Sequence, residues 1–268
     1  MEDLRPAVAL AEQATRIAGD YLLAHQDQTR IIMQKAPDDP LLDADLEAQR
    51  LILQTLQSGF PQVGFLSEEA EDQRHGARDY WIIDPVDGSH NYLHKSTQFA
   101  VAIALVLDQQ VQAGIISLPA RKWMFSAMRG GGALCNGQPI QVSSTATLKQ
   151  AMIHFGEFGR DNHGQIRTEQ LQAFATLANQ AQRIRLSGSS SCDLALLAFG
   201  AIDGFVMHMG NPWDIAAGEL LLSEAGGHTS VHPTARGSMR INSNMVLHSE
   251  LVHLLTGFDE PSFPFRLV

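Results

Sequence analysis

Acidic side chains recur in this sequence beside small and turn-forming residues, at spacings suited to a hard cation. The densest segment is Trp81-Ile82-Ile83-Asp84-Pro85-Val86-Asp87-Gly88-Ser89-His90-Asn91-Tyr92. An apolar strand delivers Asp84 to its end, Pro85 cannot continue the ladder, and Gly88 lets the backbone come close to a ligand. Two carboxylates three residues apart at a strand end can converge on one ion. An oxygen-only donor set suits Mg²⁺, Mn²⁺ or Ca²⁺ rather than Zn²⁺. A helix starting after Gly88 would add free N–H groups for an anion beside the metal. Three more acidic clusters are Ser67-Glu68-Glu69, Asp43-Ala44-Asp45 and Pro212-Trp213-Asp214-Ile215-Ala216-Ala217-Gly218. Taken singly, each is more often a helix cap or a solvated face.

The elements that must position these groups are read from periodicity. Leu4, Val8, Ala11, Ala14, Ala18, Tyr21 and Leu22 recur at helical spacing, which predicts an amphipathic helix from about Leu4 to His25. An Asp- and Pro-rich loop, Ala36 to Pro40, separates it from a second helix at about Ala44 to Leu56. Strands are expected at Val63–Phe65, Tyr80–Ile83, Phe99–Leu107, Val111–Ile116 and Trp123–Met128, with a hairpin turn around Asp108-Gln109-Gln110. This middle region reads as a largely antiparallel sheet. The remainder alternates: strand Met152–Phe155, helix Thr168–Gln182, strand Arg183–Leu186, helix Ser190–Phe199, strand Gly204–Met207 and helix Pro212–Ala225. A final strand at Met245–Leu247 and a short terminal helix complete an α/β pattern.

Composition narrows the function. The 268 residues carry 29 acidic and 19 basic side chains, a net charge of −10, with no run of Lys or Arg. That balance disfavours direct nucleic-acid or anionic-membrane binding, and it would repel a phosphate ester unless cations intervene. The longest apolar run, Phe99 to Leu107, falls far short of the roughly 20 residues that span a bilayer. Cys135 and Cys192 are the only cysteines, and Met1-Glu2-Asp3-Leu4 lacks the order of a signal peptide, so a cytoplasmic location is expected.

Together, Lys35…Asp45, Glu68-Glu69, Asp84-Pro85-Val86-Asp87-Gly88-Ser89, Gly188-Ser189-Ser190 and Trp213-Asp214-Ile215-Ala216-Ala217-Gly218 follow an order that resembles the inositol monophosphatase family across almost the whole chain. Gly132-Ala133-Leu134-Cys135-Asn136-Gly137 and Ala225-Gly226-Gly227 add to the resemblance. The likeness implies a layered αβαβα sandwich of the inositol monophosphatase and fructose-1,6-bisphosphatase type. It implies one domain over 1–268, with an α+β half to about 148 and an α/β half from about 149.

The resemblance also implies Mg²⁺-dependent hydrolysis of a small phosphate monoester by metal-activated water. Two to three Mg²⁺ ions per subunit are implied, with Mn²⁺ as an alternative. Glu68, Asp84 and the Val86 carbonyl would bind the first metal; Asp84, Asp87 and Asp214 the second; a third would sit near Glu68. Ser89 with Asp45 would orient the attacking water, and Gly88 and Ser89 N–H groups would contact phosphate. Gly188, Ser189 and Ser190 would wall the polyol. A small phosphorylated polyol or sugar is the implied substrate, and a lithium-sensitive homodimer the implied form. Met207 stands where many inositol-hydrolysing relatives place a Glu, and His208 beside it should point to the opposite strand face. Fructose-1,6-bisphosphate, histidinol phosphate and nucleotide bisphosphates therefore remain alternatives, as does a regulatory protein-binding role with incidental phosphatase activity.

Other signals carry less. His90 and His94 share a helix face but lack the Glu of a zinc HExxH site. His94 reads as structural, Gly130-Gly131-Gly132 as a flexible turn, and Cys192 as core. Lys35 is equally a surface lysine or a neighbour of the third metal.

Overall fold

The computed structural model describes residues 3–36, 39–74, 76–160, 163–234 and 237–257, with only the backbone of Asp39. The chain opens with α1 (Arg5–His25), then β1 (Ile31–Ala36), β2 (Asp39–Leu42) and α2 (Asp43–Gly59). There follow β3 (Gly64–Ser67), β4 (Tyr80–Asp87), α3 (Ser89–Leu93), β5 (Ala100–Leu107), β6 (Gln110–Leu118), β7 (Trp123–Met128), β8 (Ala133–Cys135) and β9 (Gln138–Pro139). The rest comprises β10 (Met152–Phe155), α4 (Thr168–Gln180), β11 (Arg183–Arg185), α5 (Ser190–Ala198), β12 (Gly204–His208), α6 (Pro212–Glu224), β13 (Gly227–Thr234), β14 (Gly237–Asn244) and α7 (Met245–Thr256).

These elements form five layers. A seven-stranded sheet runs β3-β4-β5-β6-β7-β8-β9, antiparallel except where β3 pairs parallel with β4. A five-stranded sheet runs β11-β10-β12-β14-β13, parallel at β11/β10 and β10/β12 and antiparallel beyond. α1 and α2 cover the outer face of the first sheet, α5 and α6 lie between the sheets, and α4 and α7 cover the second. This is the αβαβα sandwich that the resemblance implied. Small residues bring the outer helices together: Ala7, Ala11, Ala14 and Ala18 of α1 are buried, as are Ala44 and Ala48 of α2. Alanine at the contact lets helix axes approach closely.

Several expectations need correction. The Ala36-to-Pro40 loop is instead occupied at both ends by β1 and β2, a separate two-stranded ribbon. Ile31, Ile32 and Met33 on it are all about half exposed, so the strand lacks the buried alternation that betrays one. Pro37 and Asp38 lie outside the described residues. β4 does not stop at Asp84; its pairing with β5 breaks and resumes at Asp87 opposite Ala100. A bulge thus carries Pro85, whose missing N–H the ladder does not need there. Met245-Val246-Leu247 is helical: the Asn244 side chain accepts the Leu247 N–H at 2.9 Å and starts α7. The hairpin β13–β14 was not foreseen. His94 stands exposed, and Gly130 and Gly132 donate to the Glu224 carboxylate at 2.8 and 2.9 Å, which pins that turn.

Candidate active site

β3 and β4 run parallel, so Glu68 and Asp84 leave the sheet at the same edge, and the Glu68 N–H donates to the Ile83 carbonyl. The bulge then turns Asp87 toward α5, where Asp87 Oδ2 accepts the Ser189 hydroxyl at 3.0 Å and the Ser191 N–H. Asp214, in the first turn of α6, accepts the Asn211 N–H at 2.8 Å. Asp45, in the first turn of α2, accepts the Leu42 N–H at 2.8 Å. The capping geometry is real, so the bland reading and the functional one coincide at these positions.

Glu68, Asp84, Val86, Asp87, Gly88, Ser89, Gly188, Ser189, Ser190 and Asp214 all line one cavity of about 420 Å³. Of the sequence-derived site residues only Asp45 is outside its lining, buried behind Ser89. Ser89 Oγ lies 3.0 Å from the Val86 carbonyl and 3.5 Å from Asp45 Oδ1. One hydroxyl proton serves one acceptor at a time, and the shorter contact holds it. Gly88 has φ +92°, and a Cβ there would come within 3.0 Å of the Gln98 carbonyl and 3.2 Å of the Gly188 carbonyl. Only glycine fits this left-handed close approach.

The electrostatics are those of crowded anions. Burial, then Glu68, Asp87, Asp214 and Asp45, push the Asp84 carboxyl well above the usual range. Asp45 is pushed up to about 8 by burial, with Glu69 and Glu68 adding to it. Asp214 rises to about 7 through burial and Asp87. Asp87 rises to about 6 through burial, restrained by the Ser191 and Ser189 hydrogen bonds. Lys35 bridges Glu68 and Glu69 at 2.9 and 2.8 Å, half sheltered, which settles its place beside the acidic cluster. No Lys or Arg among the described residues lines the cavity.

Oxygen-only donors with such mutual repulsion suit a hard divalent cation. Against this, no group of three His, Cys, Asp or Glu side chains among the described residues stands ready to hold one. The hydrogen bonds explain the discrepancy: Asp87 Oδ2, Asp214 Oδ2 and Asp84 Oδ1 are each turned toward an N–H. Like charges turn apart toward such donors. The same side chains line one cavity, and a carboxylate rotates without moving its helix or strand. The residues fit the cation that the family resemblance implied.

Sequence reasoning overlooked three contributors. The Asn91 amide donates to both the Gln98 and Ser187 carbonyls at 2.7 Å, bolting α3 to the Gly188 turn. Asp193, buried beneath the cavity, is paired with His154 Nδ1 at 2.6 Å. Glu157 lines the cavity from the loop after β10. Asn91 sat in the quoted motif; the others had no spacing signal. Met207 and His208 both line the cavity; Met207 packs with Leu194 and Phe205, and His208 lies against Phe155, on opposite faces as expected. A larger cavity of about 520 Å³, bounded by Arg129, Glu219 and His228, has no comparable convergence of carboxylates.

A layered αβαβα sandwich with an acidic cleft is the arrangement of a phosphatase family. Residues 3–254 match the inositol monophosphatase family, and the chain belongs to it. It is 39% identical over 197 residues to the inositol-1-monophosphatase of Rhizobium meliloti, covering 72% of each chain. It is 37% identical over 226 residues to the Nus factor SuhB of Xylella fastidiosa, covering 84% of this chain and 81% of that one. Among solved structures, the extragenic suppressor protein suhB of Bartonella henselae superposes with a TM-score of 0.85 at 30% identity, over 93% of this chain and 98% of that one. The Thermotoga maritima IMPase follows at 0.84 and 28%, over 94% and 97%. Family members are generally metal-dependent. No helix among the described residues is long and apolar enough to cross a membrane.

Proposed function

We propose that the chain hydrolyses a small phosphate monoester with Mg²⁺ as its cofactor. The convergence of Glu68, Asp84, Asp87 and Asp214 from three elements (the end of β3, β4 and α6) on a cleft that no Lys or Arg among the described residues lines carries this reading. Glu68, Asp84, the Val86 carbonyl, Asp87 and Asp214 would hold the cations. When bound, these supply the positive charge that attracts a phosphate ester and acidifies water. The chain's own groups do the rest. With the Val86 carbonyl taken up by a cation, the Ser89 hydroxyl would turn from it to Asp45 and orient the attacking water. The water's proton would pass through that hydroxyl toward Asp45, whose raised basicity suits an acceptor near neutral pH. Gly88 and Ser89 N–H groups contact the phosphate oxygens. Gly188, Ser189 and Ser190 wall the alcohol.

Phosphate release from inositol 1-phosphate, glycerol 2-phosphate and p-nitrophenyl phosphate, each with Mg²⁺ and with EDTA, tests it. Release that EDTA leaves untouched would refute the metal role, and no release at all would refute the hydrolase. The name Nus factor SuhB on several relatives favours a second reading, a regulatory protein-binding role. Asp87→Asn separates the two: it should abolish hydrolysis and spare a role that needs only binding.

A further inference from the structure

Glu157 sits on a braced mount. The Gly156 N–H donates to the Val206 carbonyl at 2.8 Å, and a Cβ on Gly156 would meet Met207 Cβ at 2.9 Å, so the loop lies directly on β12. On its other side the Gly159 N–H donates to Oε1 of the buried Gln170 at 2.6 Å, and the Arg167 N–H donates to the Gly159 carbonyl at 3.1 Å. Between them Phe158 packs against Phe155, tilted, and edge-on against Phe174, with ring centres 5.4 and 5.7 Å away. Glu157 is thereby fixed in place while remaining exposed. Its carboxylate has no hydrogen bond or ion pair among the described residues, and it faces the Gly188 turn across the cavity: Oε1 lies 3.5 Å from where a Gly188 Cβ would stand. Beside it, the buried Nδ1 of His208 finds no protein partner among those residues.

We infer that Glu157 is a specificity residue that receives the alcohol part of the substrate, selecting monophosphates whose alcohol presents hydroxyl or ammonium donors and rejecting a second phosphate. The inference rests on the hydrolase reading above and deepens it. A carboxylate accepts hydrogen bonds and donates none, so it rewards donors and repels anions. With no Lys or Arg among the described residues on the cavity wall, a second phosphate would meet Glu157 without a lysine or arginine there to offset the repulsion. Met207, buried and apolar, offers the alcohol no hydrogen bond, whereas Glu157 and His208 on the same cavity lining are polar.

The test compares kcat/KM for inositol 1-phosphate, histidinol phosphate, fructose 1,6-bisphosphate and p-nitrophenyl phosphate in wild type, Glu157→Gln and Glu157→Lys. Wild type should favour the two donor-bearing monophosphates over the bisphosphate. In Glu157→Gln the ratio of the better donor-bearing ester to p-nitrophenyl phosphate should fall roughly tenfold, the usual penalty for losing a charged acceptor. Glu157→Lys should shift preference toward the bisphosphate, a gain that mere structural damage does not produce. Ratios unmoved in both variants would overturn this inference and leave the hydrolase standing. Failure of the wild type to hydrolyse even p-nitrophenyl phosphate would overturn both.

Discussion

Ser189 and Asp87 lie 102 residues apart in the chain and meet in a buried hydrogen bond, hydroxyl to Oδ2, of 3.0 Å. The same hydroxyl oxygen accepts the Cys192 N–H at 3.2 Å, so Ser189 caps α5 while clamping the end of β4. One side chain therefore joins the two sheets' connecting helix to the acidic turn.

Ser189→Ala removes the cap and the clamp together. A lost N-cap and a lost hydrogen bond to a carboxylate should cost about 1–3 kcal/mol of stability. In a chain of this size that is a melting-point drop of several degrees, readable by thermal denaturation. Activity should fall roughly tenfold, chiefly in kcat, because Asp87 loses its orientation. A pure KM effect would show that Ser189 touches substrate only.

Asp84→Asn should separate stability from function. Asp84 is buried among Glu68, Asp87, Asp214 and Asp45, and its charge is resisted by all four. Removing that charge relieves repulsion, so the variant in EDTA should melt at or above the wild type. Mg²⁺ should then fail to stabilise it further, and hydrolysis should be lost. A marked drop in melting temperature without metal would contradict the repulsion argument.

The acidic half of the site was legible because its carboxylates sit at element ends that local rules mark: strand end, first helical turn, glycine turn. Strands such as Trp123–Met128 and Met152–Phe155 were legible for the same reason, as apolar runs closed by turns. The β13–β14 hairpin was not, since His228, Ser230, His232 and Pro233 make an edge strand of polar residues, and pairing rather than burial holds it. Met245–Leu247 carries strand-like residues, yet the Asn244 cap and the packing of Leu247, Leu251 and Val252 against the second sheet override them. Asn91 and Glu157 act across long sequence separations, through contacts that no spacing encodes.

Gly88→Ala tests the tightest turn in the site. The left-handed φ disfavours alanine by about 1–2 kcal/mol before contacts are counted. The added methyl would also press on two backbone carbonyls, which cannot swing aside as a side chain does. Activity should fall at least a hundredfold while circular dichroism stays native-like, because the strain falls between β4 and α3 rather than in either sheet. Near-normal activity would mean that the turn has room the contacts deny.

The sharpest prediction concerns pH and Mg²⁺ together. Asp45, Asp214 and Asp87 have carboxyls raised to about 8, 7 and 6, above the ordinary 3.8. A raised acid binds its proton more tightly when folded. The stability it contributes is complete below pH 3.8 and is lost as pH climbs through the folded value. In EDTA the stability should therefore decline between pH 6.5 and 8.5, by no more than about 1.4 kcal/mol per pH unit for each group, and the melting temperature with it. His248 acts in the opposite sense: burial lowers its imidazole to about 3, so its penalty develops only as pH falls below 6.5, outside this window. Mg²⁺ must displace the remaining protons to bind, so the rise in melting temperature on adding it should be greater at pH 8.5 than at 6.5. Paired melting curves with Mg²⁺ and with EDTA at the two pH values measure this directly. An Mg²⁺ shift equal at both, or greater at 6.5, would mean that Asp214 and Asp87 are not where the cation binds.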